Sequence, residues 1–591
     1  MRAEQDLPSL RLPLSTEPMK GHAMCRTNTG RILSLSFVML LAEGAAAQTL
    51  PVERFAEAPD LKIVTPAGAD SFGRTVARLG DINGDGFEEF VVASGFANNS
   101  RGRVWVYFGP GATTSPAFIF DGEADGDFFG GTGDSSAVDA GGDFNGDGVP
   151  DIIIGAQRND GATGDPNDNR GATYVYSGAD GSLLVKWTGA MPGDAAGTRV
   201  RFFADVDAIP GDEVITTNKN IGTVMKTEVR SSDPMKAMPL FVVTGFAASS
   251  AGFIDQSDTV TDLAVGAPLD SAGGPAAGTI EYISSLTGFT IPAPDGPFGD
   301  TGEHLGTEVA FVGDVNGDTR GDIAAAGVNF DNNRGRVRVI SGAGLDHPTL
   351  FGWPVDGENP GDAFGWSVRS AGDVDGDGVE DVAVGAPNFD RVTPGGVVTI
   401  LSGRAYLYSG ADGSLIARFT GEASIGDLFG RSVATADVNG DGTRDMIVAA
   451  PGNGTGAVYV FFMPPPPPPC PEDLNNDGVV DGGDIAVILN NFGPCPPTPC
   501  CPCLGDLSGD GQVDSFDIAF VLNAFGPCPS AGQQSATQPG ASGWANGVAE
   551  LLGGFGFSSA EAYAAWLESL DDEALHNHIL DLLKAVQSRQ P

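Results

Sequence analysis

The chain has 591 residues, 86 of them glycine, and its 77 acidic against 32 basic side chains give a formal net charge of −45. Such a length allows several domains with buried cores, and the acidic excess argues against nucleic acid and anionic membrane as partners, since both need Lys/Arg patches. The same excess suits a protein that holds hard cations through oxygen.

Residues 1–47 read as an export signal. Arg26 and Arg31 precede the apolar run Ile32–Ala42, and Ala45-Ala46-Ala47 resembles a cleavage site. Met24 is an alternative start. The run is too short to span a bilayer, and no later stretch is long and apolar enough to do so. Cys25 lies in the signal. The other six cysteines fall between 470 and 528, which points to disulfides in an oxidising compartment. A secreted protein, extracellular or at the cell surface, is expected.

From 48 to 463 the chain is an internal repeat of about 60 residues. A nine-residue acidic loop begins at 81, 143, 314, 373 and 437, and degraded copies lie around 205–213 and 254–262. Upstream of each intact copy stands Phe-Gly or its relic: Phe72-Gly73, Phe129-Gly130, Leu305-Gly306, Phe364-Gly365 and Phe429-Gly430. Downstream comes a β-branched run ending in small residues, such as Val382–Pro387, and then a second strand, such as Ala172–Tyr176. Short strands between Gly-rich turns, with no helical period, predict an all-β fold.

The loop has a direct chemical reading. Ca²⁺ takes roughly six to eight oxygens at about 2.3–2.6 Å. Side chains at positions 1, 3 and 5, a carbonyl at 7 and a carboxylate at 9 can supply them, with Gly at 6 for the turn. The expected ligands are Asp81, Asn83, Asp85, the Phe87 carbonyl and Glu89 in the first loop. In the second they are Asp143, Asn145, Asp147, the Val149 carbonyl and Asp151. The next set is Asp314, Asn316, Asp318, the Arg320 carbonyl and Asp322. Then come Asp373, Asp375, Asp377, the Val379 carbonyl and Asp381, and finally Asp437, Asn439, Asp441, the Thr443 carbonyl and Asp445. One such loop alone could be a solvated Asx-Gly turn; five between strands point to metal. Ile209 and Ile254 replace acids in the degraded copies, which are expected to keep the turn and lose the ion. Arg320-Gly321-Asp322 spells an adhesive tripeptide, but Asp322 is position 9 of a loop and is expected to face the metal.

Phe-Gly, then Asp-x-Asn-x-Asp-Gly-x-x-Asp, then Gly-Ala-Pro, in fixed order, resembles the FG-GAP repeat of the integrin α-subunit N-terminal region. The resemblance covers 60–463 and implies a seven-bladed β-propeller. The last repeat lacks its final strand, and the unpaired Leu61-Lys-Ile-Val64 is expected to complete it and close the ring without a free sheet edge.

Pro464–Pro469 reads as a stiff linker. Beyond it the spacing changes to twelve-residue loops, at Asp473–Asp484 and Asp506–Asp517. Their ligands would be Asp473, Asn475, Asp477, the Val479 carbonyl, Asp481 and Asp484, then Asp506, Ser508, Asp510, the Gln512 carbonyl, Asp514 and Asp517. An apolar helical segment follows each, Ile485–Phe492 and Ile518–Phe525. The pair resembles a type I dockerin, which implies two Ca²⁺ and a cohesin partner. The family's Ser/Thr contact pair is Gly482-Gly483 and Ser515-Phe516 here, so calcium carries over better than cohesin. Equal spacing predicts disulfides Cys470–Cys495 and Cys503–Cys528, one per loop-helix unit of the 470–529 module. Cys500 and Cys501 remain, as a vicinal or intermolecular bridge. A zinc knot is the rival reading, weakened by the lack of nearby His. In the 530–591 tail, Ser558 and Glu561 cap an apolar helical stripe over 558–586.

No catalytic constellation emerges, and acid pairs for sugar hydrolysis cannot be separated from the loop acids. The leading expectation is a calcium-binding adhesion or binding propeller, engaging protein or glycan, tethered by a dockerin-like module. The alternatives are an enzyme or accessory component of extracellular polysaccharide degradation, and a structural surface protein.

Overall fold

The computed structural model describes residues 52–465 and scattered residues between 472 and 527. Within the first span it omits 65–69, 110–115, 133–135, 162–164, 166, 208, 219–225, 234–235, 237, 245–246, 251–260, 292–296, 344–346, 393–395 and 397. The signal segment, every cysteine, the polyproline run beyond 465 and the tail lie outside the described residues, as do the expectations placed on them.

Antiparallel sheets succeed one another along the chain. The first is built from Thr75–Gly80, Glu89–Ser94, Arg103–Tyr107 and Phe118–Asp121. The second uses Val138–Ala140, Ile152–Ala156, Ala172–Tyr176 and Leu183–Thr188. The third uses Arg199–Phe203, Glu213–Asn218, Lys226–Arg230 and Phe241–Thr244. The fourth has Ala247–Ser250, Leu263–Ala267 and Thr279–Ile283 only. The fifth has Glu308–Phe311, Ile323–Gly327, Arg336–Ile340 and Val355–Asp356. The sixth has Ser367–Gly372, Asp381–Ala386, Arg404–Tyr408 and Leu415–Thr420. The last has Val433–Ala436, Asp445–Ala450 and Ala457–Phe461. The first strand of each sheet lies innermost and touches those of its two neighbours, so the sheets form a closed ring.

Leu61–Val64 pairs antiparallel with Ala457–Phe461 and supplies the fourth strand of the last sheet, Leu61 opposite Val460. A second N-terminal strand, Val52–Phe55, pairs parallel with Leu415–Thr420 as a fifth strand of the sixth sheet. The sequence reading did not anticipate it.

The seven blades expected from the repeats are corrected to six. Six sheets are complete blades of four or five strands, and the fourth has three among the described residues. Past Ile283 the chain makes only isolated bridges, Ile283 with Thr290 and Thr279 with Phe298. Pro292, Pro294 and Pro297 fall between them and have no N–H for a ladder.

The core is divided into apolar layers between neighbouring sheets. Between the sixth and last sheets, for example, Leu407, Phe419, Phe429, Val448 and Phe461 pack together. Middle strands are buried on both faces, so Ile152–Ala156 and Asp445–Ala450 are buried throughout, and Ile152–Ala156 and Met446–Ala450 read as unbroken apolar runs.

The repeat's two short motifs are halves of one contact. Phe364 is wholly buried edge-on to Tyr406, ring centroids 5.3 Å apart, and Phe129 and Phe429 meet Tyr174 and Tyr459 the same way. The glycine of this motif, Gly430 after Phe429 and its counterpart Gly197 after Ala196, abuts the Gly-Ala of the preceding sheet. A methyl on Gly385 would lie 2.0 Å from the Gly430 carbonyl oxygen, and one on Gly155 2.0 Å from that of Gly197.

Of the C-terminal module, the helix Gly482–Asn490 is described, with Val479–Val480 paired to Gly526–Pro527 and Gly493–Pro494 to Gln512–Val513. Each loop's middle thus pairs with the end of the other unit. A complete helical EF-hand module is not established among the described residues: the second helix expected at 518–525 is only partly described.

Candidate functional site

Each acidic loop joins an innermost strand to the next strand of its sheet. The position-1 carboxylate organises the turn by accepting backbone N–H groups. Asp373 accepts from Gly376 at 2.7 Å and Gly378 at 2.9 Å, and Asp437 accepts from Gly440 at 2.7 Å and Gly442 at 2.8 Å. Asp81 takes Gly84 and Gly86, Asp143 takes Asp147 and Gly148, and Asp314 takes Asp318 and Thr319. Position 6 requires positive φ, and Gly378 and Gly442 provide it at 87° and 89°. The loop at 314–322 puts Thr319 there at φ 71°, a strained choice for a β-branched residue.

The position-5 carboxylates accept the position-7 N–H. Phe87 donates to Asp85, Val149 to Asp147, Arg320 to Asp318, Val379 to Asp377 and Thr443 to Asp441, at 2.8–3.0 Å. Asn83, Asn145, Asn316 and Asn439 at position 3 each accept the position-5 N–H. The side chains at 1, 3 and 5 therefore share one side of each loop. In the sixth sheet, ligand oxygens of Asp373, Asp375 and Asp377 lie within 4.8 Å of one another.

Position 9 does something the sequence reading missed. It was expected simply as a last ligand, yet it is wholly buried and clasps the loop to its sheet. One oxygen of Asp381 accepts the Val374 N–H at 2.7 Å and the other the Gly410 N–H at 3.2 Å, beyond the third strand. Asp151 takes Phe144 and Gly178, Asp322 takes Val315 and Gly342, and Asp445 takes Val438 and Met463. Glu89 accepts from Ile82. Asp322 is thus sealed inside the sheet, which removes it from an adhesive Arg-Gly-Asp reading.

Ionising these buried acids is costly where no cation offsets the charge. Burial first, and neighbouring loop acids after it, push Asp381 and Asp445 up to about 8. Glu89 is raised to about 7, and Asp151, Asp322 and Asp375 to about 6, with burial again the leading cause. An oxygen cage of this kind with excess negative charge fits a hard divalent cation, held by positions 1, 3 and 5 and the position-7 carbonyl.

In the C-terminal module Asp473, Asp484 and Asp517 are buried. Asp484 accepts the Leu474 N–H at 2.7 Å, so its last acid clasps position 2 as position 9 does in the propeller. Val479 and Gln512, the expected carbonyl ligands, lie in the paired ribbons. Asn475, Asp477, Asp481, Asp506, Ser508, Asp510 and Asp514 lie outside the described residues.

A second polar cluster sits on the ring axis and left no mark in the sequence. Glu308 accepts from Arg199, Arg201 and Arg369, which come from innermost strands of two other sheets, with contacts of 2.5, 2.8 and 2.7 Å. Burial opposes its ionisation, but the three guanidinium groups prevail and hold it at about 2. Arg201, Arg369 and Asp139 also line an axial cavity of about 530 Å³.

Radial sheets in a closed ring, with acidic turns between their first two strands, define a repeat β-propeller. Comparison with known proteins agrees. The FG-GAP repeat family matches residues 72–107, 136–176, 364–401 and 429–461, and the Dockerin type I domain family matches 471–526. Integrin alpha-V of Gallus gallus is 41% identical over 88 residues, 15% of this chain and 7% of that protein. Integrin alpha-5 of Xenopus laevis is 34% identical over 168 residues, 27% of this chain and 15% of that protein. Phosphatidylinositol-glycan-specific phospholipase D of Bos taurus is 39% identical over 115 residues, 17% of this chain and 13% of that protein. The chain carries FG-GAP repeats of the integrin α type together with a type I dockerin domain. It spans less than a sixth of the length of these relatives.

Proposed function

We propose that this protein is an exported, calcium-loaded binding scaffold. The propeller over 48–463 presents its inter-strand loops to an extracellular protein or glycan, and the module over 470–529 docks onto a cohesin-like partner. Calcium serves as scaffold chemistry: it bridges positions 1, 3, 5 and 7 of the five intact loops and stiffens their turns. The observation that carries this reading is the set Asp373, Asp375 and Asp377 with Asp381 buried behind it, a concentration of carboxylates that a divalent cation would neutralise. Similarity to integrin α-subunits supports the extracellular binding role. Among the described residues no helix is long and apolar enough to cross a membrane.

The test is a protein and glycan binding screen of the full chain, in calcium and in chelator. Calcium-dependent capture of a defined ligand is expected. Release of sugar from the same polysaccharides would instead favour a role in polysaccharide degradation, and capture unaffected by chelation would refute the calcium part.

A further inference from the structure

The third sheet's loop, Asp205–Glu213, has the plan of the others without their ion-binding set. Position 9 still clasps position 2, since Glu213 accepts the Val206 N–H at 2.6 Å. Asp205, Asp207 and Glu213 still bring ligand oxygens within 4.8 Å of one another. But position 5 is Ile209, with no oxygen in its side chain, and position 6 is Pro210. Two residues from outside the loop take up the slack. The Lys236 ammonium lies 2.7 Å from Asp207 Oδ2, and the Ser231 hydroxyl donates to the same oxygen at 2.6 Å. The other oxygen of Asp207 accepts the Ile209 N–H at 3.0 Å. Asp233 helps set Lys236 in place, because its carbonyl accepts the Lys236 N–H at 3.0 Å. In the five intact loops position 5 is an acid: Asp85, Asp147, Asp318, Asp377 and Asp441.

We infer that the third loop is a calcium-independent copy, in which the tethered ammonium of Lys236 stands where a divalent cation stands in the intact loops. An ammonium is a compact point charge with rotatable donors, and it can sit on one carboxylate without the oxygen cage that Ca²⁺ demands. The loss of the position-5 acid and the arrival of Lys236 are then one exchange: charge balance is kept and the dependence on dissolved ion is dropped. The inference rests on the calcium reading of the intact loops.

Two measurements on the full chain test it and keep the two readings apart. First, calcium bound per chain is counted for wild type, Asp207→Asn and Asp377→Asn. Asp377→Asn should lose one ion and Asp207→Asn none. Loss of one ion in Asp207→Asn overturns the inference, whereas no loss in Asp377→Asn strikes at the calcium reading itself. Second, melting in chelator is followed for Lys236→Met, Asp207→Asn and the double variant. Each single change should lower the melting temperature and the double variant should fall no further, as coupled partners do. Additive shifts, or no shift in Lys236→Met, would show that the ammonium is not the counter-ion, whatever the intact loops bind.

Discussion

The loops of the sixth and third sheets share a backbone plan and differ in what balances it. In the sixth, Asp373, Asp375 and Asp377 crowd together, and burial raises the clasping Asp381 to about 8. In the third, Lys236 sits on Asp207 and, with the hydrogen bonds Asp207 accepts, outweighs burial to hold its carboxyl below the ordinary range. The third sheet is also secured from within, because Arg199 and Arg201 on its innermost strand both reach Glu308. On the proposed reading, one repeat is fastened by dissolved ions or by charges carried in the chain. The position-9 clasp onto position 2 is common to both loops.

The comparison can be broken most forcefully by removing calcium. Each loop loaded about 100-fold above its dissociation constant contributes about 2.7 kcal/mol, and five loops act together. Chelation should lower the calorimetric melting temperature strongly, and an unchanged transition would end the ion-fastened half of the contrast. Next is the internal half. Glu308→Gln leaves three guanidinium groups around a neutral amide, and about 3–5 kcal/mol should be lost in denaturant unfolding, with or without calcium. The pH dependence has a definite sign. Because Glu308 is held at about 2, below its ordinary 4.5, its contribution is complete above pH 4.5 and is lost as pH falls toward 2. Wild type should show this acid limb and Glu308→Gln should lack it. A smaller effect tests the glycine contact that recurs between sheets. Gly385→Ala drives a methyl onto the Gly430 carbonyl and should destabilise by about 1–3 kcal/mol in either calcium state. The smallest shift is expected for Lys236→Met, measurable in chelator, because the ammonium is partly solvated.

Much of this was legible in advance where the chemistry is local. The acidic turns, the Phe-Gly and Gly-Ala signals and the closing strand Leu61–Val64 all lie in short windows whose spacing carries the information. The blade count was less secure. Repeat arithmetic treats every copy alike, whereas the fourth sheet has three strands among the described residues, and the sequence after Ile291 is rich in proline, which has no N–H for a ladder. The strand Val52–Phe55 escaped notice because Val-Glu-Arg-Phe has no marked alternation and its partner lies more than 360 residues away.

The amino-acid order alone specified the repeat and its acidic turns, because tight turns are set by residues a few positions apart. Tertiary structure alone decided which charges meet. Glu308 finds three arginines at separations of 61 to 109 residues, and Lys236 reaches Asp207 across 29. Ring closure sets those distances, and Coulomb interaction between buried or converging groups depends on separation in space, which chain order does not reveal.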